Sequence, residues 1–164
     1  MEQALIRLLQ QMPIFGGVSE DALQYLIKQV PLITVNRGLF FFREGDSADS
    51  MYVLEAGRVA VFKPIHNQEL LLRELGTGDC FGELALLDLM PRSASVRALE
   101  NCCALQLSSG TLLALYRQHP EQFTLIYINI GREIARRLRV ADDRLFQARA
   151  KGLLQDEQDV HDSL

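Results

Sequence analysis

Glycine-bearing turns impose the first constraint on this chain. Between residues 32 and 107 they recur at Asn36-Arg37-Gly38, Glu44-Gly45-Asp46, Ala56-Gly57-Arg58 and Gly76-Thr77-Gly78-Asp79. The runs around them are short and rich in β-branched and aromatic residues: Leu32-Ile33-Thr34-Val35, Leu39-Phe40-Phe41-Phe42, Met51-Tyr52-Val53-Leu54 and Val59-Ala60-Val61-Phe62. Such side chains fit a pleated, half-buried surface better than a helix. Further strands are expected at Glu69 to Leu75, Ser95 to Leu99 and Ala104 to Leu107. Many short strands joined by glycine turns argue for a β-sandwich, jelly roll or barrel.

Helical periodicity brackets this region. Leu5, Ile6, Leu8 and Leu9 give residues 2–11 one apolar face, and Pro13 should end that helix. A second helix is expected from about 20 to 30, with Ser19 as its N-cap, Val18 and Leu23 as a hydrophobic staple, and Pro31 after its end. Beyond the strands, Ser108 or Ser109 can cap a helix reaching about Gln118. Pro120 then suits the first position of another helix, with Glu121 favourable to its dipole. This last helix should run to about residue 149 or 150. The reading is therefore one α+β domain over residues 1–150, with residues 151–164 a polar, acidic, frayed tail.

Inside the β-region, Phe81 to Ser95 has the composition of an anion site. Gly82 permits close backbone approach. Gly82 to Leu87 reads as about one helical turn, whose first N–H groups lack helical partners. Pro91 should end that turn, and Arg92 follows with a planar fork suited to phosphate oxygens. Glu83 would repel a phosphate, so it makes sense as the acceptor for a sugar hydroxyl on the same ligand. Phosphate plus hydroxyl points to a nucleotide.

The run Gly82-Glu83-Leu84-Ala85-Leu86, four residues, then Pro91-Arg92-Ser93-Ala94 resembles the phosphate-binding cassette of the cyclic nucleotide-binding domain family, in the form found in protein kinase regulatory subunits. Glu44-Gly45-Asp46 with Met51-Tyr52-Val53-Leu54 and Gly57, and Gly78-Asp79 before Phe81, are similar to two other landmarks of that family, so the likeness spans roughly residues 10–140. It implies an antiparallel β-roll, a double-stranded jelly roll, flanked by N-terminal helices and a long C-terminal one. It also implies that Glu83 holds a ribose 2′-OH and Arg92 the cyclic phosphate. Backbone N–H groups of Gly82, Leu84 and Ala85 and the Ser93 hydroxyl, beside Ala94, would complete the cage. In the family's catabolite-activator branch the long helix carries a pocket arginine, which falls at Arg137 here. Ala141 falls where that branch has an adenine-contacting threonine. The implied ligand is cAMP, with cGMP the alternative, and the implied role is a stand-alone sensor acting on a protein effector that the sequence does not name. A ligand-free interaction module of the same fold, or a regulator of that branch without its DNA reader, are the competing readings.

Composition excludes other classes. The net charge is −4, and Asp156, Glu157, Asp159 and Asp162 close the chain with the wrong sign for a phosphate backbone, so no DNA binding is expected. No apolar run approaches the ~20 residues of a membrane span, and residues 1–11 do not resemble a signal peptide. Cys80, Cys102 and Cys103 fit no metal or disulfide framework and suit a reducing cytoplasm as buried thiols. His66, His119 and His161 are too scattered to suggest a metal centre or a catalytic base, so no enzymatic activity or metal is expected.

The last helix carries a second signal. Phe123, Tyr127, Ile130, Ile134, Leu138, Ala141, Leu145 and Ala148 recur at three and four, close to a heptad, and Leu125, Ile126 and Ile128 widen the first half. The stripe should outrun the roll, and a parallel homodimer through this helix is expected.

Overall fold

The computed structural model describes residues 2–161, with side-chain environments from Gln3 to Gly152. The chain opens with α1 (Glu2–Gln11), which buries Ile6 and Leu9, and α2 (Glu20–Gln29), which buries Leu23 and Leu26. Ser19 caps α2 as expected, its Oγ accepting from the Ala22 N–H at 3.3 Å, and Val18 and Leu23 are both buried beside it. Pro13 does more than end α1. It opens a 3₁₀ turn, Pro13–Phe15, that the apolar periodicity did not reveal.

Eight strands follow: β1 (Leu32–Val35), β2 (Phe40–Phe42), β3 (Ser50–Ala56), β4 (Arg58–Ile65), β5 (Gln68–Gly76), β6 (Cys80–Phe81), β7 (Ser95–Ala98) and β8 (Cys102–Ser108). They form two antiparallel sheets, β1-β8-β3-β6 and β2-β7-β4-β5, which is the expected roll. The two-residue β6 was not foreseen; it pairs Tyr52 with Phe81 and Val53 with Cys80.

Two cores result from strand alternation. Tyr52 and Leu54 of β3 face inward with Val59, Val61, Phe81 and Val96, closing the space between the sheets. Met51 and Val53, on the opposite face of the same strand, pack with Leu105 and Leu107 of β8 against the helices. Covered on both faces, β3 reads as an unbroken apolar run rather than an alternating one. Cys80 and Cys102 are buried as expected, whereas Cys103 is only partly buried.

Helix α4 (Ser109–Gln118) begins at the Ser108 cap, whose Oγ accepts from the Thr111 N–H at 3.1 Å, and α5 (Pro120–His161) begins at Pro120. Ile126 and Ile130 of α5 are buried against the helical core. Asn129 pins α5 to the N-terminal segment, its Nδ2 donating to the carbonyls of Gly16 at 2.9 Å and Ile14 at 3.3 Å. The helix does not end near residue 149 or 150. It continues to His161, so residues 151–161, read as a frayed tail, are helical, and 162–164 lie outside the described residues. The apolar stripe outruns the domain: Ile134 is partly buried, but Leu138 is 59%, Leu145 52% and Phe146 72% exposed. Among the described residues no helix is long and apolar enough to cross a membrane.

Asn129 supplies donors to two carbonyls inside the helical core, and truncation would leave them unsatisfied. Asn129→Ala should therefore lower stability by about 1–3 kcal/mol. Urea unfolding should show a lower midpoint at an unchanged slope.

Candidate functional site

The Phe81–Ser95 stretch leaves the sheet at β6 and returns to it at β7. Gly82 makes the first bend with φ 78, a conformation only glycine adopts without strain. The helical turn that follows is α3 (Leu84–Asp88), shorter and later than the Gly82 to Leu87 expected, with Glu83 at its cap. Leu89, in the left-handed region at φ 57, ends it before Pro91 is reached. The Met90 N–H donates to Asp88 Oδ1 at 3.0 Å and holds that reversal. Arg92 is then clamped to the Glu44-Gly45-Asp46 turn: its N–H donates to the Asp46 carbonyl and its carbonyl accepts from the Gly45 N–H, both at 2.9 Å.

The clamp drives the Arg92 side chain into the protein, where it is only 5% exposed. Nη1 donates to the Gly82 carbonyl at 3.0 Å and Nη2 to Ser50 Oγ at 3.4 Å. The guanidinium lies 4.0 Å from the centre of the Phe42 ring, a cation–π contact. A Cβ on Gly82 would stand 2.6 Å from Nη1, so the glycine is needed for this approach as well as for its φ. Nε is buried without a partner, and among the described residues Arg92 makes no ion pair. Burial lowers its pKa, although Tyr52, Asp49, Asp46 and Glu83 oppose that shift from further away. Buried charges are ordinarily paired. This one borders a cavity of about 220 Å³.

Gly82, Glu83, Leu84, Ala85, Ser93 and Ala94 line the same cavity, so with Arg92 seven of the eight residues singled out in the sequence converge on one space. Arg137 arrives from α5, 54 residues away, and lines a second, adjoining cavity of about 690 Å³ between β5 and α5. Its Nη1 meets Glu83 Oε1 at 2.8 Å, with the two side chains 16% and 5% exposed. Its Nη2 donates to the Cys80 carbonyl at 2.9 Å and its Nε to Glu133 Oε1 at 3.1 Å. Glu83 thus has one oxygen engaged by α5 and stands at the cavity wall. Burial first, and Glu83 second, push the neighbouring Cys80 thiol up to about 12, so it stays protonated.

Sequence reasoning missed the far wall. Phe42, Lys63, Leu72 and Arg73 also line the first cavity, and Leu72 and Arg73 line both. Lys63 pairs with Glu44 at 3.2 Å. No motif marks these positions; the pairing of β2 with β7 places Phe42, and that of β4 with β5 places Lys63, Leu72 and Arg73.

Comparison with known proteins agrees with this geometry. The family model described as "Cyclic nucleotide-binding domain" matches residues 32–119, more than half of the chain. The "Cyclic AMP receptor protein" of Thermus thermophilus is 34% identical over 131 residues, 79% of this chain and 59% of that protein. A "CRP-like cAMP-activated global transcriptional regulator" of Mycobacterium tuberculosis is 31% identical over 139 residues, 84% of this chain and 60% of that protein. The chain spans about three fifths of the length of these two relatives. A crystal structure of a cyclic nucleotide-binding domain from Methylobacillus flagellatus superposes with a TM-score of 0.77 at 26% identity, covering 87% of this chain and 81% of that one. With the jelly-roll fold, the cassette and the matched family model in agreement, this chain belongs to the cyclic nucleotide-binding domain family.

Proposed function

We propose that this chain is a sensor for a 3′,5′-cyclic nucleotide that signals to a protein effector through α5. The observation that carries the reading is Arg92, a buried guanidinium with an unsatisfied Nε and no ionic partner at the edge of an open cavity. A cyclic phosphate there would supply the missing counter-charge, with the Ser93 hydroxyl and the N–H groups near Gly82, Leu84 and Ala85 beside it. Glu83, held by Arg137 through one oxygen, keeps acceptor capacity for a ribose hydroxyl. No histidine stands among the residues lining this cavity to activate Ser93, which we therefore assign to binding rather than catalysis. The names of the two relatives support cAMP as a ligand, and the free cysteines support a cytoplasmic setting.

The same contact suggests how the signal leaves. Arg137 joins the cassette to α5, so a ligand that engages Glu83 and Arg92 acts on the contacts that set the position of α5. A shift between two packings of α5 requires only that the ligand bind one of them better. The exposed Leu138, Leu145 and Phe146 lie beyond the domain and suit a parallel homodimer along α5, with a further effector reading its geometry. Specific DNA binding is not proposed for residues 1–164.

Removal of the Arg92 guanidinium should leave a desolvated phosphate unpaired. Arg92→Ala should lower cyclic nucleotide affinity by about 2–5 kcal/mol, on the order of 30-fold to several thousand-fold by calorimetry, and Arg92→Lys should recover only part of it. Wild-type affinity in Arg92→Ala would refute the site.

The role of Glu83 is testable with a matched ligand. Wild type should bind the 2′-deoxy cyclic nucleotide more weakly than the ribo form, and the difference should shrink in Glu83→Ala. An undiminished difference would mean that another group holds the 2′-OH.

For the dimer, Leu138 is a better probe than Ile134, which also packs in its own domain. Leu138→Glu would set like charges across the two-fold seam, and light scattering at tens of micromolar should show a dimeric wild type and a monomeric variant. A monomeric wild type with cAMP present would refute the helix-mediated dimer.

A further inference from the structure

We propose that Lys63 is a second cation for the phosphate of the bound nucleotide, and that its present partner, Glu44, is an internal counter-ion that the ligand displaces. The inference rests on the cyclic-nucleotide reading above. Side chains along a strand alternate between its two faces. Val59 and Val61 of β4 are buried between the sheets, and Lys63, two residues on, continues that row to the mouth of the roll. The β4–β5 pairs run Val61 with Arg73, then Phe62 with Leu71, so the extra residue, Leu72, lies on β5 and the alternation of β4 is unbroken. Val61 and Lys63 accordingly line the first cavity together with Arg92 and Ser93. Among the described residues around that cavity three are cations, Lys63, Arg73 and Arg92, and the one carboxylate, Glu83, is already engaged by Arg137. An entering anion therefore meets an excess of positive charge.

The Lys63–Glu44 pair can exchange partners at low cost. Nζ stands 3.2 Å from Glu44 Oε1, but the two side chains are 46% and 35% exposed, and a pair so solvated holds weakly. A lysine is a point charge on a flexible four-carbon stem, so it takes a new partner without the fixed approach that an arginine fork demands. The Glu44 carboxylate is free to leave as well, because other bonds hold its turn. The Glu44 N–H donates to Ser95 Oγ at 2.9 Å, the Gly45 N–H to the Arg92 carbonyl at 2.9 Å and the Arg43 N–H to Asp46 Oδ2 at 2.8 Å. This is the turn clamped to Arg92, so Lys63 is tethered beside the residue that fixes the phosphate. A phosphate held by Arg92 on the buried side turns its outer oxygen toward the mouth, into the space that Lys63 borders. There, shielded from water, a charge-assisted contact outweighs the solvated pair it replaces.

The test is calorimetric titration of the full chain with cAMP and with cGMP, in wild type, Lys63→Gln, Lys63→Arg, Glu44→Gln and the Lys63→Gln/Glu44→Gln double variant. Lys63→Gln should weaken both nucleotides alike, by about fivefold or more, and Lys63→Arg should restore most of that loss. Glu44→Gln should tighten both by about twofold or more, since Lys63 no longer has to be drawn from a partner. That gain should vanish when Lys63 is already glutamine. A pair that merely props the turn predicts the opposite sign at Glu44, so a fall or no change in Glu44→Gln overturns the exchange. Unchanged affinity in Lys63→Gln overturns it too, as does a loss confined to one nucleotide, which would set Lys63 at the base. In each of these cases a wild type that binds leaves the sensor reading standing. A wild type that binds neither nucleotide overturns both.

Discussion

A guanidinium is held inside this protein without a carboxylate, and much of the local structure exists to hold it there. Keeping such a charge out of water costs several kcal/mol unless it is compensated. The Arg92 backbone is bonded on both sides to the Glu44–Asp46 turn, its fork rests on Phe42, and two of its nitrogens reach Gly82 and Ser50. Gly82 has no side chain because that position is the one from which a Cβ would strike the fork. These contacts orient the group without neutralising it. That combination, rigid placement with charge left over, is what a preorganised anion site requires.

The second organising contact is the Glu83–Arg137 pair, which links a loop of the roll to a helix 54 residues further on. Buried pairs of this type contribute little net stability, but breaking one is costly because a charge is left stranded. The pair therefore specifies geometry more than it stabilises the fold. With the Cys80 carbonyl also bonded to Arg137, and Glu133 orienting it from within α5, the start of the cassette is tied to the middle of α5. The proposed signalling route follows from that mechanical link.

How α5 divides is equally physical. Up to Ile134 its apolar face is used by its own domain, with Ile126 and Ile130 in the core and Asn129 bonded to the N-terminal segment. Beyond that point α5 meets the roll through Arg137, bonded to Glu83 and to the Cys80 carbonyl, while Leu138, Leu145 and Phe146 are left in solvent. Its sequence pattern runs on unchanged across that boundary, so periodicity alone showed an apolar face without saying what covers it. It also placed the helix end too early, because Gly152 and the aspartates after it have weak helical preference yet continue the helix to His161.

What the sequence determined by itself was local. Glycine turns and β-branched runs marked the strands, Ser19 and Ser108 marked helix starts, and the Gly82 to Ala94 stretch carried the candidate anion site in consecutive residues. Each of these depends on interactions within a few positions, which a linear pattern records. The short β6, the 3₁₀ turn at Pro13 and the αL stop at Leu89 escaped, since two or three residues give no periodicity and leucine carries no left-handed signal. Tertiary structure alone decided that Arg92 is buried without an ionic partner, that Arg137 reaches Glu83, and that Arg73 faces the cavity. Those facts depend on strand register and on helix placement across tens of residues, where a one-residue slip would turn Arg73 to the opposite face.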